Sequence, residues 1–551
     1  MTSNRGWRGS SNLVLLEARI SDTHKRQAPT VRVGGVYREN EGTSQRAQRD
    51  FLAAVDPLFS GRYRRIKSTH LFWPLAVMAD ISKPDLCVIG AGALGIALAL
   101  EARQRGLDVV LVSHPGAEKR DPPRAGLRRA AFLASAERAQ AIRTASQVGL
   151  DNAEPKPNFR AIGERAAAVA DAAAPRDADE RLAALGITVL TGQASFTDRQ
   201  TLRCGDTSVR ARQFALATGA AQAIPDLPGL DQVPHFTPDT IADNIRKLSH
   251  LIVIGSTPQA LELGQAYRRL GSAVTIVPQD GLLPGFDPEL VAILLRALRE
   301  EGVVIRDDAQ VAAVLPRSQG TGITLDVADG QESLDVSHIL VATGRVPDLD
   351  DALLGALKLR RDRLRPDHLL LGPDGQTSNG RLTALGGAAG EHQPHIAARQ
   401  ASLLVERLLG TGNGRLEPLH LPRLVATQPA LAQVGADSAP SLRPGQIVLR
   451  ANLAETNAAQ AIGQPQGAVR LVTNRQGAII GAGAVGPGSG DIVALLALTM
   501  ARGLPLGELA RLALPEASLA AALVDLAGQH LAQQPRPSFA KRLPGLGRLL
   551  P

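Results

Sequence analysis

The sequence predicts an α/β protein with two Rossmann-like strand–helix–strand units. Three observations predict it. A buried strand runs into a glycine-rich turn, a helix and a second strand over residues 85–112. The same order returns over residues 251–277. Ala-Thr-Gly then follows an apolar run twice, at 217–219 and 342–344.

The first unit is the most explicit. Asp85-Leu86-Cys87-Val88-Ile89 reads as a strand and leads into Gly90-Ala91-Gly92-Ala93-Leu94-Gly95. A helix is expected from there to Arg105, and a strand from Val109 to Val112. Gly90 permits the tight turn, Gly92 lets backbone approach a pyrophosphate, and Gly95 lets helix and strand pack closely. The helix N-terminus then offers free N–H groups and a positive dipole end to phosphate. In this context the glycine spacing signals a Rossmann-like dinucleotide site formed by Gly90, Ala91, Gly92, Ala93, Leu94 and Gly95. A carboxylate commonly ends the second strand and binds ribose hydroxyls; here Ser113 stands there, a weaker partner.

The second unit begins at Leu251-Ile252-Val253-Ile254-Gly255. Its helix is expected from Gln259 to Leu270 and its next strand from Ala273 to Val277. Thr257 and Ala260 occupy the later glycine places, and Pro278 ends the strand with Asp280 beyond it. Each Ala-Thr-Gly closes a strand and turns beside a nucleotide, which nominates Thr218, Gly219 and Gly344.

This combination resembles the class I FAD-dependent pyridine nucleotide–disulfide oxidoreductases, most closely the mercuric reductase and dihydrolipoyl dehydrogenase branch. The stretch from Val253 to Ser272, including Gly255, Glu262 and Gly264, is similar to the NAD(P) helix of mercuric reductases. The likeness runs from about Asp85 to about Gln529. It includes Gly467 to Val472 and Val485-Gly486-Pro487 of a dimerisation domain. The resemblance implies that the second unit is inserted in the first and that an α+β dimerisation domain follows them, with FAD in the first unit, NAD(P)H in the second, and a homodimer. It divides the chain into a FAD-binding part at 78–235, an NAD(P)-binding domain at 236–345, a second FAD-binding part at 346–415 and a dimerisation domain at 416–530. A Pro-rich tail fills 531–551.

Against that pattern, several residues are missing. The family carries a CxxxxC pair on the helix after its first unit, where this chain reads Arg124-Ala125-Gly126-Leu127-Arg128-Arg129-Ala130-Ala131. Cys87 and Cys204 are the only cysteines. The late flavin motif A-x-G-D becomes Ala384-Leu385-Gly386-Gly387, which keeps Gly386 and loses the carboxylate. Leu514-Pro515-Glu516 replaces the histidine of a C-terminal His-Pro, and Glu516 is expected to be an exposed helix residue. Dithiol exchange needs an attacking thiolate and a resolving thiol, so disulfide, lipoamide and mercuric-ion reduction by that route are expected to be excluded. The expected reaction passes electrons from NAD(P)H through FAD to a small acceptor without thiol chemistry: a quinone, dioxygen or a small oxidant. A non-catalytic dimer that keeps the fold is the alternative. No catalytic residue is nominated, and NADH is not distinguished from NADPH.

Composition limits other classes. The net charge of +8 concentrates at the start of the chain. Residues 1–77 hold 13 Lys and Arg against six Asp and Glu, which leaves 48 against 47 elsewhere. The body is nearly neutral, and no nucleic-acid partner is expected. Residues 1–77 also contain Trp7, Trp73, Tyr37 and Tyr63 without a sustained period, and are read as an atypical extension with the working start at Met78. No apolar run reaches the roughly 18 residues of a membrane span. A cytoplasmic location is the expectation. Glu391, His392 and His395 lack further ligands at metal spacing, so no metal site is expected. The Ala166–Ala174 stretch reads as a helix, and Arg128 and Arg129 as a solvated helix face or a phosphate contact.

Overall fold

The computed structural model describes residues 81–113, 124–173, 177–279, 281–435 and 444–533, and the backbone of two short strands near the start. The chain divides into two units, Met1–Val77 and Met78–Pro551. In the first, Ala18–Arg19 pairs antiparallel with Thr30–Val31. The rest of that extension, and the tail beyond 533, lie outside the described residues.

In the second unit, strand β1 (Leu86–Ile89), helix α1 (Ala93–Gln104) and strand β2 (Val109–Ser113) form the first strand–helix–strand motif. Helices α2 (Ala125–Arg143) and α3 (Phe159–Asp171) follow, then β3 (Thr188–Thr191) and β4 (Gln213–Leu216). The short strand β5 (Ala220–Gln222) leaves this unit. The inserted unit comprises β6 (His250–Ile254), α4 (Pro258–Arg269), β7 (Ala273–Val277), α5 (Pro288–Glu300), β8 (Val304–Ile305) and β9 (His338–Val341). The chain returns through β10 (Arg345–Pro347) to β11 (Leu382–Ala384) and α6 (Pro394–Leu408).

The first sheet is parallel in the order β11-β4-β1-β2-β3, and the second is parallel in the order β8-β7-β6-β9. In each, the first strand lies inside the sheet and is buried, apart from the half-buried His250 that opens β6, which is why Leu86–Ile89 and residues 251–254 read as apolar runs. Register pairs Ile89 with Val112 and Ile254 with Val277, so each glycine turn opens at the carboxyl edge. That edge is where open α/β sheets bind ligands.

Helices α2 and α3 of the first strand–helix–strand unit pack on α4 of the inserted one. Tyr267 of α4 is fully buried, with ring centroids 5.2 Å from Phe132 and 6.1 Å from Phe159. Its hydroxyl donates to the Ile241 carbonyl at 2.9 Å, which satisfies the one polar atom that burial would otherwise strand. Arg128 and Arg129 belong to this seam and not to a solvated face or a phosphate contact. Arg128 pairs with Asp243 at 2.5 Å, and Arg129 lies 3.9 Å from the buried Glu262 of α4.

The two units are joined by a crossover. β5 and β10 pair antiparallel, with Ala220 opposite Pro347 and Gln222 opposite Arg345. The Thr218 hydroxyl donates to the Asp348 carbonyl at 2.8 Å, and the Thr343 hydroxyl donates to the Ala223 carbonyl at 2.5 Å. Each Ala-Thr-Gly threonine thus fastens the strand entering or leaving the other unit. Arg345 adds two bonds to the Ala220 carbonyl, at 2.6 and 3.1 Å, and pairs with the Asp239 carboxylate at 2.8 Å.

A five-stranded antiparallel sheet closes the chain. Its strands are β12 (Arg423–Val425), β13 (Ala430–Gly435), β14 (Gln446–Asn452), β15 (Ala468–Asn474) and β16 (Ile479–Gly486), ordered β12-β13-β16-β15-β14. Helices α7 (Ser489–Ala501) and α8 (Ala521–Gln533) contribute to its apolar core. Glu516 is exposed as expected, but in a turn and not a helix, because Ala517 has φ +60°. Arg269 and Gln265 of α4 bind Gln428, at 2.7 Å to its side chain and 2.5 Å to its carbonyl, and tie this domain to the inserted unit.

Removing one partner of a buried ion pair leaves an uncompensated charge, at about 3–5 kcal/mol. Arg345→Ala is therefore expected to lower unfolding free energy by about that amount. Chemical denaturation measures it, and a loss below about 1 kcal/mol would show the crossover held by other contacts.

Candidate dinucleotide site

The phosphate turn of the first unit is built from three glycines with different duties. Gly90 has φ +113°, and a Cβ there would meet the Ala217 carbonyl oxygen at 2.3 Å. A Cβ on Gly95 would lie 1.8 Å from the Gly90 carbonyl oxygen. Both are therefore demanded by packing alone. Gly92 is different: its φ of −72° and ψ of 177° are open to any residue. It is the N-cap of α1, no side chain caps that end, and the first turn holds no acid. An uncapped helix end leaves backbone donors without intrahelical partners, and these attract anions. Ala91, Ala93 and Leu94 are exposed or half-buried around this end.

Two further segments reach the same edge. Gly219 follows β4 with φ +84° and accepts from the Asp348 amide at 3.2 Å. Gly386, φ +54°, follows β11 and donates its N–H to Gln400 Oε1 at 2.8 Å. A Cβ on Gly386 would meet the Leu94 side chain at 2.5 Å, so Leu94 packs against the late turn. At Gly387 a Cβ would lie 2.7 Å from the Gly219 backbone carbon and 2.8 Å from the Ala220 amide nitrogen. The place where a carboxylate was expected is thus closed by the crossover backbone.

Ser113 ends β2, half-buried, with its carbonyl accepting from Gly192 N at 3.1 Å. Residues 114–123 lie outside the described residues. Thr218 is at the edge, yet its hydroxyl proton is already given to the crossover.

In the second unit, Gly255 repeats Gly90, with φ +130° and a virtual Cβ 2.2 Å from the Ala342 carbonyl oxygen. Gly344, φ +121°, follows β9 at the same edge, its carbonyl accepting from Ala223 N at 2.9 Å. The helix end differs from that of α1. Thr257 Oγ1 accepts from Ala260 N at 3.3 Å and donates to the Ala342 carbonyl at 2.9 Å. Pro258 removes a further donor. The α4 terminus is therefore partly satisfied by its own chain, whereas the α1 terminus is open.

Glu262 went unnominated as a site residue. It is buried on α4, where burial pushes its carboxyl pKa up, while the Ala426 amide at 2.9 Å and Arg129 favour the charged form. Its signal in the sequence was a lone carboxylate inside an apolar helix face. Near α6, burial raises Glu391 and lowers His392. His395 Nε2 donates to the Pro422 carbonyl at 2.6 Å. Among the described residues no three His, Cys, Asp or Glu side chains are grouped to hold a metal ion.

The sequence profile described as pyridine nucleotide-disulphide oxidoreductase matches residues 84–402, and that family's dimerisation domain matches 421–527. The chain belongs to this family. FAD and NAD(P)H are the cofactors of the pyridine nucleotide-disulphide oxidoreductases, and the open α1 end suits a pyrophosphate. Mercuric reductase of Streptomyces lividans is 29% identical over 80% of this chain and 94% of its own length. Dihydrolipoyl dehydrogenase of Geobacillus stearothermophilus is 25% identical over 79% and 93%. Matches to other mercuric reductases are shorter, at 60% of the length of the Staphylococcus aureus protein. The solved structure of LpdA from Mycobacterium tuberculosis superposes with a TM-score of 0.71 at 23% identity, over 81% of this chain and 99% of that one. Among the described residues no helix is long and apolar enough to cross a membrane.

Gly92→Asp separates fold from cofactor binding. An N-cap carboxylate in place of glycine stabilises a helix by only a few tenths of a kcal/mol. The same charge would occupy the amides and repel pyrophosphate. The variant is expected to melt no lower than the parent while losing FAD affinity by about 100-fold or more, equivalent to roughly 2.7 kcal/mol. Flavin absorbance and thermal melting read the two effects separately, and undiminished flavin binding would remove α1 from the site.

Proposed function

We propose that this family member is an FAD-dependent NAD(P)H oxidoreductase whose acceptor is not a thiol: a quinone, dioxygen or a small oxidant. The observation that supports the reading is the placement of sulfur. Cys87 lies mid-strand in β1 with no exposed surface, paired across to Phe214 and Val110. Cys204 is buried in the hairpin strand Leu202–Cys204, within the same apolar cluster. Burial raises the pKa of both thiols. Exchange chemistry needs a thiolate with access to its target, and neither sulfur has either. On α2, where the resemblance implies the cysteine pair, Arg128 and Arg129 are committed to Asp243 and Glu262.

When bound, FAD supplies two-electron uptake from a nicotinamide and release to an acceptor without a protein nucleophile. The chain's own contribution is positioning. The α1 amides beside Gly92 hold one pyrophosphate, and the crossover fixes the angle between the two dinucleotide edges. The Gly386 turn and Leu94 close the late side of the first site. The dimerisation domain implies a homodimer, consistent with apolar Leu498, Leu504 and Leu531 standing on its surface.

The Thr257 cap favours a second reading, a dimer that keeps the fold and has lost nicotinamide binding. Cys87→Ala combined with Cys204→Ala distinguishes the outcomes. The double variant is expected to keep NAD(P)H-dependent quinone or dye reduction at the parent rate. Lipoamide or mercuric-ion reduction that disappears with the cysteines would overturn the proposal. A dimer that binds no NAD(P)H, with or without flavin, would establish the second reading.

A further inference from the structure

Away from both dinucleotide edges, residues 358–367 read Lys358-Leu359-Arg360-Arg361-Asp362-Arg363-Leu364-Arg365-Pro366-Asp367, with five basic residues and two acids. The body of the chain is otherwise almost neutral, so this is a local concentration. The segment is a hairpin, with Arg361 bridged to Leu369 and the Leu370 amide bonded to the Arg360 carbonyl at 2.9 Å. Its turn is fixed by Asp362. That carboxylate accepts from the Leu364 amide at 2.8 Å and the Arg365 amide at 3.2 Å, and these bonds lower its pKa.

A rigid turn thus presents Leu364 to solvent at 92% exposure, against 64% for Leu150, the next most exposed large apolar side chain described. Leu370, on the returning strand, is 46% exposed. Arg361 lies 3.3 Å from Asp351 and Arg365 3.7 Å from Asp362. Lys358, Arg360 and Arg363 are exposed and make no ion pair among the described residues.

We infer that this hairpin docks the protein on an anionic lipid bilayer, with Leu364 entering the acyl boundary and the flanking cations meeting lipid phosphates. The charge complementarity is direct, and basic side chains near an anionic leaflet add binding cumulatively. The apex decides between polyanions. A nucleic acid would reward the cations but not Leu364, and the turn offers no aromatic ring for base stacking. A bilayer rewards both, as basic and apolar groups do together in surface-bound segments. The assignment is independent of the electron acceptor.

The test uses the full chain and co-sedimentation with vesicles of phosphatidylcholine alone or with about one third phosphatidylglycerol, a range in which polybasic segments respond. Binding is expected to the anionic vesicles, weaker by about tenfold or more on neutral ones, and to fall with salt. Leu364→Ser and the pair Arg360→Gln with Arg363→Gln are each expected to cut vesicle binding by about fivefold or more, with unchanged melting, because these side chains are exposed. Binding that survives both variants would place it elsewhere, for instance on the basic first 77 residues, and overturn the inference. So would absence of vesicle binding, or tighter binding to RNA that ignores Leu364→Ser.

Discussion

The crossover between the two dinucleotide units is the constraint on which the rest of the structure depends. Two strands must pass each other once outward and once back, and both passages occur at the edge where ligands bind. Their backbone groups cannot rely on a long ladder, since β5 and β10 are three residues each. The two threonine hydroxyls and the Arg345–Asp239 pair supply what the ladder lacks. Because the hydroxyls come from the Ala-Thr-Gly turns, the device that joins the units is the one that ends β4 and β9.

The same crowding explains the late flavin turn. Gly387 approaches the Gly219–Ala220 backbone too closely to leave room for a side chain, and at Gly386 a side chain would have to push the end of Leu94 aside. The absent carboxylate at 387 is therefore coupled to local packing, and restoring it would require the crossover to move. Helix ends are tuned in opposite directions: α1 leaves its donors open, and α4 uses Thr257 and Pro258 to answer part of its own demand.

Much of this was legible in the sequence. The parallel strands announced themselves as apolar runs, and the helices began within two residues of Gly95 and one of Gln259. The glycine turns were legible because backbone geometry leaves them few substitutes. What stayed hidden depends on contacts between distant segments. Arg128 and Arg129 read as solvated, since nothing in the sequence near them reveals that Asp243 and Glu262 fold against that face. Thr218 was nominated as a nucleotide contact, and the sequence near it gives no sign that its hydroxyl donates to Asp348, 130 residues away. Glu516 read as helical because the positive φ of Ala517 leaves no mark in composition.

The burial of both sulfurs has a toxicological corollary. Soft metal ions and alkylating electrophiles disable enzymes by capturing an accessible thiolate, and the native fold described here presents none. Inhibition by such agents would have to wait for the central strand of the first sheet, or the hairpin that holds Cys204, to open, so sensitivity to them would report unfolding and not chemistry at the flavin edge.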